Sequence, residues 1–166
     1  MNQNLRERNG FTYGARSRFN LEPDVGYFTA GADVQAEHTG EALREFLKEF
    51  DLLRKEGVSK DEAGKARETN RMDLVQSFQG LGGILAKALE LQVNGLDFSS
   101  LGAEFAAIDA ANRESMSPLA AGAVPVEQAL IVLVGDKGKI EKQLKGLPLP
   151  PPRELDVSGE AAKKDK

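Results

Sequence analysis

Apolar and polar positions alternate early in this chain. From Phe11 to Leu21, the residues Phe11, Tyr13, Ala15, Ser17 and Phe19 share one face. From Gly26 to Ala36, Phe28, Ala30, Ala32, Val34 and Ala36 share one side, and Tyr27, Thr29, Asp33 and Gln35 the other. Between them lies the turn cluster Glu22-Pro23-Asp24. The pattern predicts an antiparallel hairpin with one buried face. Ahead of it, Leu5-Arg6-Glu7-Arg8 reads as the end of a helix, stopped by Asn9-Gly10. No capped start precedes that helix, so the chain is expected to open inside an element.

The spacing then changes from two to three and four. Thr39 is the expected N-cap of a helix with Glu41 in its first turn, the stripe Leu43, Phe46, Leu47, Phe50, Leu53, and a stop at Gly57. Ser59-Lys60-Asp61-Glu62 reads as a capping box opening a longer helix. Its predicted buried face runs through Ala63, Ala66, Leu74, Phe78, Leu81, Leu85 and Ala88, with a kink or break at Gly80, Gly82 and Gly83 and an end at Asn94-Gly95. Leu101, Phe105 and Ile108 suggest a short helix. Ser117-Pro118 reads as the start of another, ending near Pro125. Ala129 to Val134 reads as a buried strand. Asp136 is the expected cap of a last helix, with Ile140 and Leu144 inward and Gly146 at its end. Pro148 and Pro150-Pro151-Pro152 predict a stiff extended segment. The tail from Gly159 to Lys166 is small and charged, and disorder is expected there. The order of elements is an α+β pattern: an antiparallel or mixed sheet packed on one side by several helices.

Composition narrows the chemistry. The chain has 166 residues and no cysteine, which excludes disulfides, thiolate metal sites and cysteine nucleophiles. It has one histidine, so a His-rich zinc site cannot be built within it. A net charge of −4 argues against nucleic-acid binding by bulk electrostatics. The longest apolar run, Ala129 to Val134, is six residues, far short of the roughly 20 of a membrane span. Apolar signal-peptide character is missing from the first residues.

Few residues then remain as candidates. Gly135-Asp136-Lys137-Gly138-Lys139 sits between a strand and a helix but lacks the spacing of a phosphate-binding loop, so it reads as a turn. His38 has no second histidine to pair with, and a surface or capping role suits it better than metal ligation. Glu45 and Glu49, like Asp61 and Glu62, read as solvated helix faces. Arg6 and Tyr13 are more informative. The reversal at Asn9-Gly10 can bring a guanidinium and a phenol to one end of the sheet, where both could donate to a carbonyl or an oxyanion. An exposed arginine and a half-buried strand tyrosine would read the same way.

The segment Leu5-Arg6-Glu7-Arg8-Asn9-Gly10-Phe11-Thr12-Tyr13-Gly14-Ala15-Arg16-Ser17 resembles the signature of the pitrilysin/insulinase-type zinc metallopeptidases. The resemblance continues through Gly26-Tyr27-Phe28 and the helix over 40–56. It includes Gly57 to Glu62, with Ala63 in place of the usual leucine, and closes with Ala129 to Asp136. It covers about residues 1–150, with 151–166 a Pro-containing extension and charged tail. The family pairs α+β domains around an unfolded peptide. Its zinc site, an inverted HxxEH motif plus a downstream glutamate, lies in the N-terminal half. The resemblance implies that Arg6 and Tyr13, seven residues apart, are the auxiliary catalytic pair that the non-zinc half turns toward the metal.

This sequence departs from the family in two ways. HxxEH is absent, so no metal or cofactor site is expected in this chain, and zinc is expected in a partner N-terminal domain. The strand and helix that normally precede the signature are also missing, so the resemblance implies a C-terminal, N-terminally truncated, non-zinc domain with an exposed sheet edge. Expected partners are a zinc-bearing homologous domain or subunit and an extended peptide substrate; self-association through the exposed edge is a further expectation. No nucleic acid or membrane span is expected. Two other readings compete: a structural or peptide-binding homologue without proteolysis, and a small regulator that captures extended segments. Compartment is not legible in these residues; family analogy alone points to the periplasm.

Overall fold

The computed structural model describes residues 1–21, 24–124 and 126–160. Part of the expected turn cluster (Glu22 and Pro23), Pro125 and most of the charged tail lie outside the described residues. The chain is α+β, as the pattern predicts. A short π-type helical turn, Gln3–Arg8, leads into strands β1 (Thr12–Leu21) and β2 (Gly26–Val34). Helices α1 (Thr39–Glu56), α2 (Lys60–Gln76), α3 (Gly80–Val93), α4 (Ser100–Ala110), α5 (Arg113–Ala123) and α6 (Lys137–Leu144) follow. Among the described residues the sheet is the antiparallel β1–β2 pair.

The hairpin lies on α1. Leu5, Phe11, Ala15 and Ala42 are buried together, with Ala32, Val34 and Phe46 packed against them. A phenylalanine ladder extends the contact: Phe19 meets Phe28 at 4.9 Å between ring centres, Phe28 meets Phe50 at 5.9 Å, and Phe50 meets Phe46 at 6.3 Å. These offset and edge contacts suit aromatic quadrupoles, and the first of them is a direct cross-strand pair.

Helix α1 is held at both ends. At its start, Gln143 of α6 accepts a hydrogen bond from the Gly40 amide at 3.0 Å and donates to the Ala36 carbonyl at 2.7 Å. A Cβ at Gly40 would lie 2.5 Å from the Gln143 carbonyl oxygen, so glycine is what lets the two backbones approach. At its end, Gly57 adopts φ 70°, open to glycine and costly for other residues. Beyond it, the Val58 amide donates to the Ser117 hydroxyl at 3.2 Å.

Four expectations need correction. Thr39 is not the N-cap of α1: it is the first helical residue, and its hydroxyl donates back to Ala36. Helix α5 starts at Arg113 rather than at Ser117-Pro118, because Asn112 and Ser115 form a reciprocal capping box upstream. Pro118 therefore lies inside the helix and leaves the Glu114 carbonyl without its helical donor. The long helix does break before Gly80, but Leu81 and Leu85 are 86% and 61% exposed rather than buried. The break starts a new axis whose inward side carries Lys87 and Leu91. Finally, Ala129 to Val134 is neither strand nor buried; Leu130 and Val134 are 88% and 94% exposed. A strand exists only by bonding to a neighbour, and β1 and β2 bond to each other.

Candidate functional site at the strand bulge

The region around Tyr13 is built by three local devices. The π-type turn wraps Asn4 and Leu5 inward, both buried. Such turns are rare and concentrate at functional sites. Gly10, at φ 65°, then reverses the chain, and the Phe11 amide closes on the Leu5 carbonyl at 2.9 Å. The third device is a β-bulge. Thr12 pairs with Val34 but Ala15 pairs with Ala32, so three steps on β1 oppose two on β2. The extra residue breaks the alternation, and a bulge re-aims the side chain it carries. Tyr13, which uninterrupted alternation would place beside Phe11 and Ala15, is instead fully exposed.

The bulge is pinned from both sides. The Thr12 hydroxyl lies 3.1 Å from both the Gly14 carbonyl and the Gly14 amide, and the Ala15 amide donates to Asn2 Oδ1 at 2.6 Å. Over it lies a shallow cavity of about 480 Å³, lined by Thr12, Tyr13, Gly14, Arg16 and, from β2, Gly31 to Asp33. Arg6 lies on the exposed side of the π-type turn and is not among the lining residues. Neither the Arg6 guanidinium nor the Tyr13 hydroxyl has a hydrogen-bond or ion-pair partner among the described residues, and Tyr13 is fully exposed.

Sequence reasoning missed how the turn is anchored. The Asn4 side chain donates to Glu45 at 2.6 Å and to Glu49 at 2.9 Å, while Asn9 donates to Asn4 Oδ1 at 2.7 Å. Glu45 and Glu49 are therefore not the solvated helix face expected of them. The hydrogen bond from Asn4 holds the Glu45 carboxyl below its ordinary pKa. Burial would raise that of Glu49, but the terminal amine and Asn4 outweigh it and lower it. An asparagine five residues before the asparagine-glycine stop was the available signal.

His38 takes a local role. Its ring stacks on Phe11 at 4.9 Å, and its Nδ1 lies 2.6 Å from Glu41. Among the described residues, no three His, Asp or Glu side chains are grouped to hold a metal ion, and no helix is long and apolar enough to cross a membrane.

Residues 1–70, which include the turn, the bulge, Arg6 and Tyr13, match the family model described as the peptidase M16 inactive domain. This part of the chain is similar to the M16 inactive domain. No curated protein and no solved structure matches the chain. The match agrees with the pitrilysin-type resemblance of the signature segment and is consistent with the non-zinc, C-terminal kind of domain. The matched part of the chain thus consists of the π-type turn, the bulged hairpin, α1 and the first part of α2.

Proposed function

We propose that this chain is the non-zinc C-terminal domain of a zinc-dependent endopeptidase, and that its M16 domain extends to about residue 150, ahead of the Pro-containing extension and tail. It closes over an extended peptide held against a homologous, zinc-bearing domain or subunit. Zinc, carried by that partner, supplies the activated water. This chain supplies Arg6 and Tyr13, whose guanidinium and phenol donate hydrogen bonds to the scissile carbonyl and to the oxyanion that replaces it. Donors fixed before the charge develops cost no reorganisation as it forms, and each is worth about 3 kcal/mol in comparable sites.

The observation that carries this reading is the M16 inactive-domain match over the segment holding both residues, joined to the bulge that turns Tyr13 into solvent. The test is kinetic, in the full enzyme that contains the zinc half. Tyr13→Phe and Arg6→Ala should each lower kcat by about a hundredfold while KM moves little, because the bonds they remove form in the transition state. An unchanged kcat in both variants would refute the role.

One observation favours a second reading, a structural or peptide-binding homologue. Arg16, and not Arg6, shares the cavity with Tyr13. On that reading the full protein binds an extended peptide, hydrolyses nothing in the presence of zinc, and loses affinity on Arg16→Ala.

A further inference from the structure

The prolines after α6 belong to neither the bulge cavity nor the core. Pro148, Pro150, Pro151, Pro152 and Arg153 are all exposed, and residues 150–154 belong to no helix or strand. Exposed prolines pack against nothing; what they add is a fixed φ. Each one also biases the residue before it to the extended region, so the left-handed polyproline helix lies within easy reach here. The segment is tied back to the body at both ends, unlike a spacer that leads away from it. Leu147, 8% exposed, holds one end, and an ion pair of Glu154 with Lys137 of α6 at 2.6 Å holds the other. Between them Arg153 has no hydrogen-bond or ion-pair partner among the described residues.

We propose that Pro148-Leu149-Pro150-Pro151-Pro152-Arg153 is a docking segment for a protein domain of the SH3 type, which grips a polyproline helix in an aromatic-lined groove. Three residues make one turn of that helix, so Pro148 and Pro151 share one edge, about 9 Å apart. Pro150 and Arg153 share the second edge, and Leu149 and Pro152 the third. The first two edges enter the groove and the third faces water. A polyproline helix has no internal hydrogen bonds, so its carbonyls are open to Tyr and Trp donors on the groove walls. Arg153 then decides the partner's charge. Its planar fork suits a carboxylate beside the aromatic slots, taken bidentately. The ordering cost of docking is small, because proline has already fixed φ at four of the six positions. One contact opens on binding: the Leu149 amide closes a tight turn on the Leu147 carbonyl at 2.8 Å, and rotation about ψ of Pro148 releases it. The segment lies outside the matched residues 1–70, so the proposal stands independently of the peptidase reading.

The test is calorimetric titration of the full chain with a panel of isolated SH3 domains selected for P-x-x-P-x-R ligands. Saturable one-to-one binding is expected. Arg153→Ala and Pro151→Ala should each raise Kd by about tenfold or more, the scale of a lost charge-assisted bond or a vacated slot. Arg153→Lys should fall between, since it keeps the charge and loses the fork. Pro152→Ala should raise Kd by no more than about threefold, the entropy of one freed φ. Far-UV circular dichroism should stay unchanged in all four variants, because these side chains are exposed and outside the helices and strands. Failure of every domain in the panel to bind, or binding that survives Arg153→Ala, would overturn the proposal. So would equal losses at Pro151 and Pro152, which would mark a stiff segment with no edge that is read.

Discussion

The side-chain amide of Asn4 donates to the carboxylate of Glu45 across 2.6 Å and so ties the π-type turn to α1. The same amide reaches Glu49, and the Asn4 side chain is in turn held by Asn9. Arg6, the proposed carbonyl donor, belongs to the same turn as this clamp. A change at Asn4 should therefore be felt both in stability and in the placement of Arg6.

Asn4→Ala should destabilise the chain by roughly 2 kcal/mol, the scale of a lost hydrogen bond to a charged group together with partly buried carboxylates left short of donors. The sign of the pH dependence follows. The carboxyls of Glu45 and Glu49 are held below their ordinary pKa in the folded state. Their contribution is present above the unfolded value of about 4.3 and is lost as pH falls through the lower folded values. Urea unfolding of the parent chain should weaken below about pH 4.3, and Asn4→Ala should flatten that acid limb. An equally steep limb in the variant would show that the clamp is not its source.

Much of this architecture was legible in the residues, and the exceptions share a cause. The hairpin, α1 with its stop at Gly57, the capping box at Ser59 and Glu62, and the Asp136 cap are decided within a few residues, where side-chain chemistry and backbone preference act alone. Pro118 misled because Asn112 offered a better start more than a turn earlier. Leu81, Leu85 and the 129–134 run misled because burial needs a second surface, and hydrophobic periodicity cannot supply one. At the site, the Arg6–Tyr13 spacing was readable but the bulge was not. Alternation across residues 11–19 is regular, and the extra residue shows only when β1 is matched to β2. Asn4 was missed for the same reason: its partners lie more than forty positions away.

Gly57→Ala should be among the most damaging small substitutions. Two costs coincide there. The φ of 70° strains any residue with a Cβ, and that Cβ would overlap the side chain of Ser117. The loss should exceed about 1 kcal/mol, because φ 70° with ψ −158° is a backbone conformation essentially confined to glycine. Adding Ser117→Gly should recover the steric part alone, because the backbone strain remains. Full rescue in the double variant would mean that φ is not constrained at this position.

Gly40→Ala probes the docking of α6. The atom that a Cβ would meet is the Gln143 carbonyl oxygen, part of the backbone and unable to rotate aside. The two helices must separate, at a cost of about 1–3 kcal/mol as for other overpacked sites. Amide hydrogen exchange should quicken across residues 137–144 while β1 and β2 keep their protection. Uniform loss of protection would point to global unfolding and against a separable α6 contact.

Lys87 on α3 is only 8% exposed and reaches Glu90 at 3.0 Å and Glu104 of α4 at 3.5 Å. Burial disfavours its charge, but the two carboxylates outweigh that and raise its pKa. A raised lysine pKa contributes stability below the unfolded value of about 10.4, lost as pH rises through the folded one. Lys87→Met should cost roughly 1 kcal/mol at neutral pH, a modest figure because both carboxylates are largely solvated. The difference from the parent chain should shrink once the pH passes about 10.4. A constant difference up to strong alkali would assign the effect to packing of the lysine stem.

Tyr13 separates fold from function. It is fully exposed, and its hydroxyl has no partner among the described residues. Nothing in the folded chain depends on that hydroxyl, so Tyr13→Phe should change stability by less than about 0.5 kcal/mol, as for other surface positions. Thr12→Val, by contrast, removes the hydroxyl that pins Gly14 and should loosen the bulge while leaving the Tyr13 phenol intact. In the full enzyme the two variants should then diverge. Tyr13→Phe should lose kcat with its melting temperature unchanged, whereas Thr12→Val should lose both some stability and some kcat, because a donor held loosely is no longer aimed before the charge develops. If Tyr13→Phe destabilised the chain as much as Thr12→Val does, the tyrosine would be a structural part of the bulge and its catalytic assignment would fall.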